Sequence, residues 1–310
     1  MAEVGCLPDG HFNNLEVSGS INRMTPKVLL DWNYISCGGP ICSSVDNTDA
    51  TTDGRRFSMI MPGKNGEMYP ADVSLIAATA AATVNWPTVE GTIPATDTNA
   101  TQAGLNIELD ATTVDDAGME FRIGPPHGNN YSKFVVGKHS GYIDATFCTG
   151  AKWTEWDCVC IGFRKAEAAT SAAADVAIIA AATGNPTYAD LAAIGNTNGD
   201  DISTTTCTGG GAITATDGGQ APTDSRNMRL RVNLAADGAV TYQFVLEAVA
   251  GAGTLGAMTG AVAYSFTDAL EVIPCIWTLH AGTGDDPIFL KDIKIVRNLV
   301  GSSSVGKYQN

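Results

Sequence analysis

The sequence predicts a mainly β protein, an antiparallel β-sandwich with an extended N-terminal arm. Three observations carry this. Residues Met228–Ala248 alternate apolar and polar side chains on both sides of Ala236-Asp237-Gly238, the pattern of a hairpin with one buried face. Strand-length apolar runs recur upstream and downstream of it, separated by Gly, Pro, Asn and Asp. With 34 Gly but only 18 Lys plus Arg in 310 residues, the chain has many turns and few helices with charged faces.

The totals set further bounds. A chain of 310 residues that is 44% hydrophobic can bury a large core, as one large β domain or two smaller ones. The net charge of −15 argues against nucleic acid and against an anionic membrane surface. It suits cations held at loops or a basic partner. No apolar run approaches the ~18 residues of a membrane span. The polar start "MAEVGCLPDGHFNN" lacks the basic and apolar regions of a signal peptide, so the sequence predicts synthesis in a cytosol without export by the usual route.

Residues 1–70 are rich in Gly, Pro, Asn and Asp, with short apolar runs and weak periodicity. They read as an extended arm that needs a partner. The arm has a local basic share in Arg23, Lys27, Arg55, Arg56 and Lys64. Residues 71–300 read as the sandwich. "ADVSLIAATAAATVNW" fits a helix or a strand. "GLNIELDATTVDDAGMEFRIG" predicts two strands joined by a turn at Asp115-Asp116-Ala117-Gly118. "SKFVVGK" and "SGYIDATFC" follow as strand-like runs, and "WDCVCIGFRK" reads as a buried central strand. The alanine-rich insertion 166–187 favours a short helix ended by Gly184 and Pro186. "YADLAAIGN" is a strand, "TNGDDISTTT" a turn entering another, and "DGGQAPTDSRN" a loop. The hairpin places Leu230, Val232 and Leu234 opposite Val240, Tyr242 and Phe244. "EVIPCIWTLHA" and "PIFLKDIKIVRN" complete the pattern, with Phe289 and Ile293–Ile295 partly inward. Residues 301–310 form a flexible tail.

Glu155 and Asp157 in "TEWDCVCIGFRK" would share one face of a strand. Retaining glucanases need two glutamates about 5–5.5 Å apart. Here Val159 or Cys160 occupies the place of the third carboxylate, so the stretch predicts a wall and the chain is not expected to be an enzyme. His11, His127, His139 and His280 are scattered, without metal or triad spacing. The pairs Asp200-Asp201 and Asp285-Asp286 lie in loops that can hold Ca²⁺, the one cofactor the sequence leaves open; turns with Asx hydrogen bonds explain them as well. Trp153, Trp156 and Trp277 fit sugar stacking, core or a subunit interface. The eight cysteines lack zinc spacing. Cys148, Cys160 and Cys275 read as buried free thiols, and a Cys37–Cys42 disulfide is geometrically open.

The segments "IGFRKAEA", "YADLAAIGN…GDDIST", "LRVNLAADGAVTYQF", "FTDALEVIPCIWTLHA" and "PIFLKDIKI", in this order, resemble the concanavalin A-like (lectin/glucanase, laminin-G-like) jelly-roll domains of marine tailed-phage virion proteins. The resemblance covers about residues 105–297. The longer "EAVAGAGTLGAMTGAVAYSF" and the alanine-rich insertion depart from that pattern. The resemblance implies a jelly roll of two packed antiparallel sheets. It implies a structural protein of the virion, an outer capsid decoration or cement protein assembled in the host cytoplasm. In that role a homotrimer would dock through the arm onto the major capsid protein. The alternative is a carbohydrate-binding adhesin or fibre module for host-surface glycans. A glycan hydrolase ranks last.

Overall fold

The computed structural model describes residues 26–37, 41–46, 56–76, 104–106, 115–123, 132–149, 153–166, 190–197, 201–209, 214–247, 254–281 and 288–299. In chain order the elements begin with β1 (Lys27–Asn33), a one-turn helix α1 (Tyr34–Cys37), β2 (Ile41–Asp46), β3 (Arg56–Pro62), β4 (Met68–Ile76), β5 (Leu105–Asn106) and β6 (Asp115–Ile123). They continue with β7 (Phe134–Val135), β8 (His139–Thr149), a 3₁₀ turn (Trp153–Glu155), β9 (Trp156–Lys165), β10 (Leu191–Thr197), β11 (Ile202–Cys207) and β12 (Thr214–Asp217). The last are β13 (Asn227–Leu234), β14 (Ala239–Leu246), β15 (Gly256–Ala257), β16 (Tyr264–Ser265), β17 (Glu271–Ala281) and β18 (Ile288–Leu299).

These strands make an antiparallel sandwich. The eight-stranded sheet runs β1-β18-β8-β13-β14-β15, with β5 on β18 and β16 on β14. The ten-stranded sheet runs β12-β11-β10-β9-β17-β6-β4-β3-β2, with β7 on β17. The core lies between them. Met228, Leu230, Val232 and Leu234 of β13 meet Val159, Ile161 and Phe163 of β9 there. Phe134 packs edge-on to Phe163, with centroids 5.2 Å apart.

The hairpin β13–β14 has the expected register, Leu230 opposite Phe244, Val232 opposite Tyr242 and Leu234 opposite Val240. Its turn needs glycine at 238. There φ is +88°, and a Cβ would stand 2.2 Å from the Phe266 carbonyl oxygen. β9 is the expected central strand and is buried on both faces. Val159, Ile161 and Phe163 face the other sheet, while Cys158 and Cys160 join Leu191, Ala193, Cys207, Ile273, Cys275, Trp277 and Leu279 in a second apolar cluster. A near-continuous apolar run is what a doubly buried strand requires.

Three expectations need correction. Lys27–Asn33, assigned to the arm, is an edge strand of the eight-stranded sheet paired along β18. A register irregularity between Val28 and Leu30 puts the adjacent Leu29 and Leu30 both inside, together with Trp32. This breaks the alternation that would have revealed the strand. The expected boundary between 70 and 71 falls inside β4, so β3 and β4 also belong to the sandwich. The Asp115–Gly118 turn is the start of β6, because Gly118 pairs with Leu279 on one side and Ile76 on the other. Ladder bonds on both edges override local turn chemistry. The partly inward setting expected for Phe289 and Ile293–Ile295 holds: Phe289 is half-buried and Ile293 and Ile295 are core, across a register shift between Leu290 and Asp292. The ambiguous run at 71–86 is strand through Ile76. The helix expected over 166–187, apart from Ala166, and the tail 301–310 lie outside the described residues.

Trp32 tests the correction at β1. Trp32→Ala should cost about 3–5 kcal/mol of unfolding free energy in a denaturant titration, as large core truncations do. An arm held only by a partner would show no change.

Candidate functional site

The β3–β4 turn folds across the sandwich edge onto β1. The Lys64 amide donates to the Asp31 carbonyl at 3.0 Å, and the Gly63 amide to Glu67 at 2.7 Å. Gly63 has no Cβ to spare: one would stand 2.2 Å from the Tyr69 ring. The ring packs against the turn at Gly63, and its hydroxyl donates to Glu67 Oε2 at 2.6 Å. Between this turn and the start of β1 opens a cleft of about 630 Å³, lined by Pro26, Lys27, Val28, Asn65, Glu67, Met68 and Tyr69. Met68 is 57% exposed at its mouth. The cleft thus joins an apolar surface (Val28 and Met68) to an ammonium, a carboxylate and an amide, with the buried Tyr69 beneath.

Beside the cleft, the outer face of the eight-stranded sheet is ionic. Asp31 accepts Lys294 at 2.8 Å and pairs with Lys64 at 3.2 Å. Burial alone would raise the Asp31 pKa, but hydrogen bonds from Lys294 and Lys64 and their charges hold it below 3.8. Two strands away, the buried Asp144 receives Arg229 through Nε and Nη2, each at 2.9 Å, and Arg231 through the same two atoms. The Arg231 guanidinium lies 4.6 Å over the Tyr142 ring. Asp292 accepts the Thr146 hydroxyl at 3.1 Å. Burial raises its pKa, Thr146 opposes this, and Asp144 adds repulsion.

The ten-stranded sheet has a buried ionic cluster on its outer face. Arg164 forks onto Glu120 at 2.9 and 2.7 Å, Trp277 Nε1 donates to the same carboxylate at 2.9 Å, and Arg122 stands 3.4 Å away. All four side chains are buried, so the cluster is part of the framework. Buried thiols in both sheets are poor nucleophiles: burial, then the hydrogen bond and charge of Cys160, pushes Cys158 well up in this sheet, and burial pushes Cys148 of the eight-stranded sheet up to about 11.

The predicted site residues separate. Lys27 lines the cleft and Lys64 pairs beside it. Arg56 sits on β3 opposite Asp46 and Ser74; Arg23 and Arg55 lie outside the described residues. Trp153 and Trp156 are 1% and 0% exposed, so the sugar-stacking expectation is corrected to core. Trp153 Nε1 donates to the Thr223 carbonyl at 3.0 Å, which fixes the loop before β13. Trp277 is core as well. Glu155 belongs to a 3₁₀ turn and Asp157 to β9, so the two do not share a strand face. Asp201 precedes β11, while Asp200, Asp285 and Asp286 lie outside the described residues. Among the described residues no three His, Cys, Asp or Glu side chains group to hold a metal. Cys37, Cys148 and Cys275 are free thiols. His139 opens β8, its Nδ1 accepting the Val135 amide at 2.8 Å. Asn65, Glu67 and Tyr69 were missed: they fall in the run read as an arm, and only the approach of the turn to β1 makes them a site.

No family model matches the chain, and no curated protein matches it. Among solved structures, lectin II from Ulex europaeus aligns over 80% of this chain and 100% of its own at 10% identity and a TM-score of 0.44. The lectin from Bauhinia forficata, solved with GalNAc, aligns over 74% and 93% at 8% identity and 0.42. A protein of unknown function from Shewanella oneidensis aligns over 93% and 96% at 11% identity and 0.40. At such scores the likeness carries no functional argument. The sandwich stands on its own strand order.

Asp31 and Asp292 should titrate on opposite sides of 3.8 in a carboxyl NMR titration, Asp31 below and Asp292 above. The signs for stability differ. The contribution of Asp31 is complete above pH 3.8 and is lost as pH falls through its lower native value. Asp292 resists ionisation, so its burden is absent below pH 3.8 and grows as pH rises through its higher native value. Lys294→Met should move the Asp31 midpoint upward. In the ten-stranded sheet, Glu120→Ala leaves Arg164 buried without its carboxylate and should cost about 3–5 kcal/mol in chemical denaturation.

Proposed function

We propose that the protein is a carbohydrate-binding module that holds its ligand in the cleft between β1 and the β3–β4 turn. The observation that supports this is the mixed lining of the cleft. A sugar presents apolar C–H faces and a rim of hydroxyls. Val28 and Met68 match the first, while Lys27, Asn65 and Glu67 match the second. A volume of about 630 Å³ lies within the usual range of ligand clefts. Glu67 is preset by the Tyr69 hydroxyl, which lowers the ordering cost of binding. The module binds and does not turn its ligand over.

Attachment to a virion exterior through a major capsid protein was the first expectation from sequence resemblance. That reading counted Lys27–Asn33 in a partner-seeking arm, whereas these residues pair along β18, and no described residue favours a capsid contact as the cleft lining favours a sugar. The glycan reading therefore leads.

A panel of immobilised glycans, probed with the full chain with and without Ca²⁺, tests it. Binding to a defined subset is expected, weakened about tenfold or more by Glu67→Gln and by Asn65→Ala. Both residues are exposed, so the fold should survive the changes. Binding to no glycan, or binding indifferent to both substitutions, would overturn the reading.

A further inference from the structure

The outer face of the ten-stranded sheet is apolar where a two-layer sandwich would meet water. Cys158 and Cys160 of β9, Leu191 and Ala193 of β10, and Trp277 and Leu279 of β17 all lie there. Left open, they would form a large apolar patch. They are sealed instead: Cys158, Leu191, Ala193, Trp277 and Leu279 are 0% exposed and Cys160 1%. Burial likewise pushes the Cys275 thiol up. Among the described residues the cluster draws only on strands of this one sheet, with a single addition, Ala166, which packs against it. One layer of strands cannot exclude water from its own outer face, so further residues of this chain lie over it.

Ala166 shows where they come from. Its amide donates to the Glu271 carbonyl at 2.7 Å, and the Lys165 amide donates to the Asp190 carbonyl at 2.8 Å. Residues 167–189 therefore leave and rejoin the sheet at one neck, beside the row of Arg164, Leu191 and Ile273. That row is one end of the apolar face, and Cys158 at the other end is about 20 Å along β9. A path out and back needs about 40 Å, and the segment can extend about 75 Å. Its only charged side chains are Glu167 and Asp175, and Val176, Ile178 and Ile179 stand among alanines. The sheet offers a matching relief. Gly162 opposite Ala193 and Cys160 opposite Gly195 make a trough of small residues, which alanine-sized side chains fill closely. The other long internal connection, 77–103, starts from β4 and ends at Gly104, which lies against Phe289 and Leu290 of the other sheet. It has to cross the sandwich edge.

We infer that the outer face of the ten-stranded sheet is the docking surface for the chain's own residues 167–189, seated by Val176, Ile178 and Ile179. The alanine-rich insertion is then part of the body and not a ligand-bearing loop. The inference stands apart from the glycan reading.

Benzoylphenylalanine in place of Ile178 or of Ile179 in the full chain tests it, because the photoproduct records what lies beside that position. Attachment to peptides of β9, β10 or β17 is expected. Attachment to the eight-stranded sheet, or to no part of the chain, would overturn the inference. A second measurement carries its own control for the fold. Thiol labelling under native conditions, read peptide by peptide, compares Cys160 with Cys148, which is buried in the other sheet. In the Ile178→Ser, Ile179→Ser double variant, Cys160 should label about tenfold or more faster relative to Cys148. An unchanged ratio would overturn the inference, since the cover would then lie elsewhere. Neither result bears on the glycan panel.

Discussion

The structure depends on the pairing of β9 with β17 at the centre of a sheet whose middle strands have no solvent face. Val159, Ile161 and Phe163 fill the inter-sheet core, and Cys158, Cys160, Ile273, Cys275, Trp277 and Leu279 are buried on the opposite side. A strand in that position cannot carry a lone charge, because desolvating an unpaired ion costs more than packing returns. The carboxylate and guanidiniums that do occur there, Glu120, Arg122 and Arg164, are bound together and to the Trp277 indole. The same close packing demands glycine at 195, where a Cβ would meet the Val159 carbonyl oxygen at 2.2 Å.

The second sheet follows a different rule. β13 and β18 bury mainly one face and alternate apolar and polar residues, while β8 between them also buries Asp144, Thr146 and Cys148 on its outward side. Leu230 and Val232 point inward while Arg229, Arg231 and Asn233 point out. The outward residues are tied into pairs by their neighbours across the ladder, which places Asp144 under two arginines and Lys294 beside Asp31. Paired surface charge therefore concentrates on this sheet and at its β1 edge, where the β3–β4 turn of the other sheet crosses over. The ten-stranded sheet is the scaffold, and the eight-stranded sheet presents the charges.

The expected strands that proved right share a physical feature: their pairing or burial is announced locally. The β13–β14 hairpin has a short turn and strict alternation, and β9 is a continuous apolar run. Those that failed depend on distant partners. β1 gains its place from β18, more than two hundred residues away. At the start of β6, Asp115 to Gly118 are held in extended form by strands from both ends of the chain. The tryptophans at 153 and 156 could serve a sugar or a core on chemistry alone, and only their complete burial decides.

The sequence by itself determined the β class, the hairpin register, the central position of β9 and the free state of the buried thiols. Each follows from local periodicity or residue type. The tertiary structure decided that Lys27–Asn33 is sheet, that Asn65, Glu67 and Tyr69 meet Lys27 in a cleft, and that Asp144 lies under a fork of two arginines. These arrangements arise from register between strands far apart in the chain. A local pattern cannot encode which distant strand will be its neighbour, and a one-residue change of register would send every charge to the other face.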